Sequence, residues 1–403
     1  MSAAPATLPP LPRLGSREGW FDALRPFAYL NHAAVAPHAG PVRAAVLACM
    51  DAYAAEGIGG FGATLARRQA LRARLAALLG ADGDELAFVP NTTAGVITVA
   101  QSIAWTPGDR VVLFRGEFPA NTTPWQLVAK QHGLELVWLD LADFDESDDQ
   151  GLAALDSALA RGVRLVAVSA VQFRSGLRMP LEAIAQRCRA RGAELFVDAI
   201  QGLGATPLHV DMGFDYLASG GHKWLLATEG AGLLYVRRER MAGLTPHLAG
   251  WLGHEHAVDF LTRGPGHLDY DAPLRTDAEV FEPGTLNLLG YEALGVGIVP
   301  AEQLGVSAIH VHVNAYLHAL EAELVALGFR SLRAAEASRR STLLSAHPPL
   351  GVDPVRLQAA LGARSVICAI PDGVLRFSPH FHNHADEVPK VAAAVREALA
   401  AVG

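Results

Sequence analysis

Ser219-Gly220-Gly221-His222-Lys223-Trp224 lies between two apolar, strand-like segments, Phe214-Asp215-Tyr216-Leu217-Ala218 and Gly232-Leu233-Leu234-Tyr235-Val236. On its own, a lysine in a Gly-rich turn is an exposed loop residue. Enclosed by hydrophobic sequence it becomes something else, because burial disfavours the ammonium form and lowers the pKa. A lysine so placed is an amine nucleophile able to form a Schiff base with a carbonyl compound.

Two upstream signals support the second reading of Lys223. Glu194-Leu195-Phe196-Val197-Asp198-Ala199-Ile200-Gln201 reads as a short apolar strand ending in Asp-x-x-Gln. Open α/β sheets bind ligands at the carboxyl ends of their strands. Asp198 there can hold a pyridine nitrogen protonated, and Gln201 is close enough in sequence to reach a phenolic oxygen of the same ring. A turn or a helix cap is the plain alternative for Asp198. Further back, Glu85 to Pro90 reads as a strand, followed by Asn91-Thr92-Thr93-Ala94-Gly95 and an apolar helical run. Hydroxyl residues at a helix start cap free amides, and the same amides with the helix dipole hold a phosphate. Thr92, Thr93 and Ala94 are therefore candidate phosphate-binding residues, with simple capping as the alternative. The order phosphate cup, ring-nitrogen acid, Schiff-base lysine points to pyridoxal 5'-phosphate (PLP).

With those residues in place, the chain resembles the class V aminotransferase family of fold-type I PLP enzymes, which includes cysteine desulfurases, kynureninase and isopenicillin N epimerase-like proteins. The matching pieces are Tyr29 to Ala34, Asn91 to Ala94, Glu117 to Asn121 with Pro124-Trp125-Gln126, Val197 to Gln201, Ser219 to Trp224, Phe281 to Thr285 and Leu375 to His380. They cover nearly the whole chain from about residue 29. The resemblance implies an α/β fold with a large, mostly parallel seven-stranded-type sheet and a smaller α+β C-terminal domain. The expected division is a Pro-rich N-terminal arm over 1–28, loosely ordered or packed on a partner, then a PLP-binding domain over 29–283 and a small domain over 284–403.

The resemblance also implies roles. Phe118 stacks on the cofactor ring, and Gln172 is a weaker candidate for contact with the ring oxygen or the substrate. His222 is placed to reach the phosphate. The family's serine sits three residues before the lysine, where this chain has Gly220, so Ser219 is a displaced candidate. Thr285 matches a threonine that reaches the phosphate of a neighbouring subunit, which implies a homodimer. Arg376 matches the arginine that pairs with the α-carboxylate of an amino acid, a role suited to a planar guanidinium. Asn31 and His32 fall among the substrate-binding residues of the first matching piece.

Composition narrows the class. At 403 residues two domains are natural. A hydrophobic fraction of 51% with 18% charged residues describes a well-buried enzyme, and 33 basic against 41 acidic residues argue against nucleic-acid or anionic-membrane surfaces. Three scattered cysteines imply no disulfide framework and fit a cytoplasmic setting. No uninterrupted apolar stretch of about eighteen residues predicts a membrane span. Strands are predicted at 85–89, 110–114, 135–139, 163–169, 194–198 and 232–236, with helices between them. A helical segment near 292–327 should break at Pro300.

Two histidine groups, His380-Phe381-His382-Asn383-His384 and His254-Glu255-His256, have the spacing of a metal site. The first reads better as a turn with a helix cap, and no metal is expected. Trp251 and His254 are candidates for the substrate pocket. Cysteine desulfurases need a nucleophilic cysteine shortly before the arginine, and Cys368 instead reads as an apolar strand residue. The expected activity is an aminotransferase, with epimerisation or C–S/β-elimination as alternatives on the same scaffold. A non-catalytic PLP-binding protein and a nicotinamide-dependent dehydrogenase are the more distant readings.

Overall fold

A computed structural model describes residues 10–285 and 287–402. Seven strands form the central sheet, in the order Leu86–Val89, Gly232–Val236, Tyr216–Gly220, Glu194–Asp198, Leu165–Ser169, Arg110–Arg115, Glu135–Asp140. Leu165–Ser169, Glu194–Asp198, Tyr216–Gly220 and Gly232–Val236 are buried at every position. That is why they read as continuous apolar runs, since helices cover both faces. Only Gly232–Val236 runs antiparallel to its neighbours. The eleven residues 221–231 that lead into it contain no crossover helix, so the chain can only double back.

That return matters for the site. The Lys223 loop is closed at its base by Gly221 N donating to Ala231 O at 2.7 Å, directly above the paired Gly220 and Gly232. A Cβ on Gly232 would stand 2.4 Å from Ser219 O, so only glycine permits this close approach. Gly95 plays the equivalent part for the helix Thr92–Ser102. A Cβ there would lie 2.6 Å from Ala218 Cβ, so its absence lets the helix start pack against the Tyr216–Gly220 strand.

The smaller unit is an antiparallel sheet of Arg330–Ser331, Leu344–His347 and Leu375–Phe377, with helices Val306–Ala326, Pro354–Ala363 and Glu387–Val402. Both ends of the chain build it. Ala28–Tyr29 pairs in parallel with Val366–Ile367, and Asn31 bridges Ser378. The arm differs from the loosely ordered or partner-bound segment expected from its prolines. Residues 1–9 lie outside the described part, but from Pro10 onward the arm packs on its own chain. Trp20 and Phe21 are buried beside Phe381, and Trp20 Nε1 donates to Pro10 O.

Leu288–Ala326 is long and apolar enough to cross a membrane by length and composition. In the structure it is divided into Leu288–Gly297, a π turn at Ala301–Gly305 and Val306–Ala326, and it packs along the helices Gly40–Glu56, Phe61–Leu79 and Glu387–Val402. The break falls just after Pro300, which has no N–H to continue the ladder.

Candidate active site

Asp198 ends one central strand, Ser169 ends its neighbour, and the Lys223 loop leaves the end of a third. A cavity of about 550 Å³ opens over these strand ends. Thr92, Thr93, Phe118, Asp198, His222, Lys223 and Arg376 line it, together with Ala33, Phe173 and Pro371.

Burial lowers the pKa of Lys223. Asp198 opposes the shift and Arg376 adds to it. Asp198 is 1% exposed, and burial raises its carboxyl pKa against a hydrogen bond from Ile200 N at 3.0 Å. Glu117 raises it further and Lys223 lowers it. The Lys223 ammonium sits 5.9 Å from the centroid of the Phe118 ring, which meets Phe173 edge-on. A flat aromatic face, a depressed amine and a strand-end carboxylate thus share one cavity.

At the opposite end, Asn91 caps the helix Thr92–Ser102 by accepting from Ala94 N at 2.9 Å. The Ala94 amide is therefore committed to the cap. Thr92 Oγ1 accepts from Gly220 N at 2.9 Å, tying the helix start to the strand that carries the lysine loop. Thr93 and His222 face the cavity beside it, and burial lowers the His222 pKa, with Lys223 adding to the shift. Ser219 is outside the lining, because its place in the strand turns its hydroxyl to Gly220 O at 3.1 Å. Thr285 is exposed and also outside this lining.

Arg376 is 5% exposed, and its Nη1 donates to Phe173 O at 2.7 Å. Its Nε is buried without a partner, and among the described residues no carboxylate pairs with it. Burial brings its pKa down to about 10.

Asn31 and His32 do not line the cavity; the next residues, Ala33 and Ala34, do. His32 is buried beneath it in a cluster with His380 and His382. Its Nδ1 donates to Ser378 O at 3.1 Å, which leaves Nε2 to accept from His382 Nε2 at 3.3 Å. His380 Nε2 donates to Trp224 O. Burial lowers the pKa of all three, that of His380 to about 4. Neutral rings form a core in which His32 and His380 donate to backbone carbonyls and His382 donates to His32, and among the described residues no group has the geometry of a metal site. Trp251 and His254 line a separate cavity with Phe260 and Tyr270.

The two glutamines make contacts that the sequence does not show. Gln201 touches the cavity, but its Nε2 donates to Ala33 O and its Oε1 accepts from Trp224 Nε1. Its amide acts as a latch between the N-terminal segment and the lysine loop. Gln172 donates to Glu117, and its Oε1 is buried without a partner. Glu117 itself, Phe173 and Pro371 were not singled out from the sequence. The Glu117-Phe118-Pro119 piece held the one available hint.

These residues fit PLP. The amine of Lys223 can hold its aldehyde carbon, Asp198 its ring nitrogen, Phe118 its face, and the Thr92-Thr93 helix start with His222 its phosphate. The comparisons agree. The family model for class-V aminotransferases matches residues 28–390, so the chain belongs to the class-V aminotransferase family, and its cofactor is PLP. It is 28% identical over 323 residues to an uncharacterized aminotransferase, YcbU, of Bacillus subtilis, covering 79% of this chain and 80% of the relative. An isopenicillin N epimerase of Streptomyces clavuligerus is 29% identical, covering 80% and 82%. The apo structure of a cysteine desulfurase from Thermococcus onnurineus superposes with a TM-score of 0.81 at 24% identity, covering 93% of this chain and 95% of that one.

Proposed function

We propose that this protein is a PLP-dependent aminotransferase acting on the amino group of α-amino acids, with Lys223 as its single base. The observation that carries the reading is Arg376, a buried guanidinium with no carboxylate partner among the described residues, in the same cavity as Lys223 and Asp198. A buried cation with an unused donor is strongly stabilised by an anion, and a carboxylate matches its fork.

PLP, when bound, supplies a sink for the electron pair left when the substrate Cα gives up its proton. Every other task falls to the chain. Arg376 binds the carboxylate and so fixes the Cα. Lys223 Nζ takes the Cα proton and moves it along one face, which its depressed pKa favours near neutral pH. Asp198 keeps a proton on the ring nitrogen. Thr92, Thr93 and His222 anchor the phosphate, and Phe118 with Phe173 shields the reacting atoms from water.

The titratable side chains lining the cavity are Asp198, His222, Lys223 and Arg376. With the nitrogen, the phosphate and the carboxylate assigned, one base is left. Transfer needs only one, whereas inversion at Cα needs a proton donor on the opposite face. Persulfide chemistry needs a reactive thiol, but Cys49, Cys188 and Cys368 are all buried and outside the cavity. Burial pushes the Cys368 thiol up to about 12. The test is to incubate holoenzyme with α-amino acids and 2-oxo acids and identify the products. A new amino acid formed in step with a new 2-oxo acid supports the reading. Racemised substrate, or ammonia released without a new amino acid, overturns it.

A further inference from the structure

Glu117 follows the Arg110–Arg115 strand and is buried. Its Oε1 accepts from Ser169 N at 2.6 Å and from Gln172 Nε2 at 3.2 Å, while its Oε2 is bonded to Ser169 Oγ. A carboxyl ringed by donors is held as the carboxylate, because the ionised form has only acceptors to offer. Burial raises its pKa, and the bonds from Ser169, Gln172 and Asn121 work against that rise. Among the described residues no cation pairs with it.

Ser169 is also the register partner of Asp198 on the adjacent strand, and Ala170 N donates to Asp198 O at 2.8 Å. Glu117 and Asp198 are therefore two buried carboxylates separated by one residue of sheet. The charged groups around Asp198 are Glu117 and Lys223, with Arg376 beyond the lysine. Lys223 gives up its cationic amine when it binds an aldehyde, and Arg376 is turned toward Phe173 O. The pair then lacks a cation, and a protonated ring nitrogen is the one that fits.

We propose that Glu117 is a positioning residue that acts through Asp198, setting the field that keeps the proton on the cofactor's ring nitrogen. This rests on the assignment of Asp198 to the ring nitrogen. The experiment uses holoenzyme reconstituted with PLP labelled with ¹⁵N in the ring, and follows the nitrogen shift against pH. In Glu117→Gln, with folding checked by circular dichroism, the midpoint for losing the nitrogen proton should fall by about one pH unit, a tenfold loss of proton affinity. Turnover should fall tenfold or more in parallel. Added to Asp198→Asn, the same change should cost no further turnover, since the path through Asp198 is already cut.

An unmoved midpoint in Glu117→Gln, with Asp198→Asn shifting it, overturns the role of Glu117 and leaves that of Asp198. Midpoints unmoved in both variants overturn the ring-nitrogen assignment itself. Should Glu117→Gln not fold, Ser169→Ala gives the same reading. Losing the hydroxyl donor makes Glu117 easier to neutralise, so the midpoint should move in the same direction, and no movement would count against the proposal.

Discussion

Replacing Arg376 by methionine should separate recognition from stability, because the same burial works against the fold and for the substrate. Removing one partner of a buried, hydrogen-bonded charge pair costs about 2–5 kcal/mol. At about 1.4 kcal/mol per factor of ten, kcat/KM for α-amino acids should fall by about thirtyfold to a few thousandfold. Amines without a carboxylate should change by less than about threefold, as for any site they do not touch. For the protein without substrate the sign reverses. Burial lowers the Arg376 pKa from 12.5 to about 10, so the native state holds this proton less tightly than the unfolded chain. The charge therefore costs stability, roughly 3 kcal/mol, present in full below pH 10 and relieved only as pH rises toward 12.5. The lost bond to Phe173 O returns about 1.5–3 kcal/mol of that cost, so Arg376→Met should melt at or slightly above the wild-type temperature. Initial rates on matched amino-acid and amine pairs, with calorimetry of the substrate-free protein, read both arms. Equal losses on both substrate types, or a melting temperature several degrees lower, would make Arg376 a structural residue.

Other outcomes follow from the same cavity. Borohydride reduction of holoenzyme and peptide mapping should place the cofactor on Lys223, and Lys223→Ala should lose both the visible absorbance and exchange of the Cα proton. Asp198→Asn should keep fold and cofactor but slow Cα proton abstraction by orders of magnitude; turnover near the wild-type rate would remove its role. The neutral histidines His32, His380 and His382 hold fewer protons in the native state than when unfolded, so stability should be lost as pH falls below about 6.5, by up to about 1.4 kcal/mol per pH unit for each ring. Melting curves taken down to acid pH should show this, and His382→Leu should flatten the slope. Sedimentation should find a homodimer, with Thr285 of one subunit reaching the site of the other; a fully active monomer would exclude it.

Which parts of this were legible in the sequence follows from how each is encoded. The central strands are buried on both faces, so Leu165–Ser169 and Glu194–Asp198 read as unbroken apolar runs. The loop between paired antiparallel neighbours was marked by Gly220-Gly221, and Gly232 confirms why glycine is needed there. The arm's placement is not legible in its prolines, because proline content describes backbone stiffness, whereas two side chains, Trp20 and Phe21, pack on residues some 360 positions away. No local pattern carries that.

The site divides along the same line. Lys223 sits in a glycine-flanked turn, Asp198 at a strand end and Arg376 at the centre of the short strand Leu375–Phe377, where local sequence shows both residue type and position. Gln201, His32 and Glu117 depend on partners that only the fold brings near. From spacing, Gln201 belongs beside the ring; in three dimensions it lines the cavity and also ties Trp224 to Ala33, contacts that spacing does not show. His32 lies next to cavity residues in sequence, yet its ring turns under the floor to Ser378 and His382. Glu117 shows the converse. An acid beside an aromatic in a turn looks like a solvated residue, and its meaning comes from Ser169 and Gln172, more than fifty residues on. Buried charge is therefore the most useful guide in this cavity, because each charge without a protein partner must find one. Among the described residues Arg376 lacks an anion, and the Glu117–Asp198 pair has only Lys223, the amine that the cofactor takes; the proposed α-amino acid substrate with a protonated PLP ring would supply one of each.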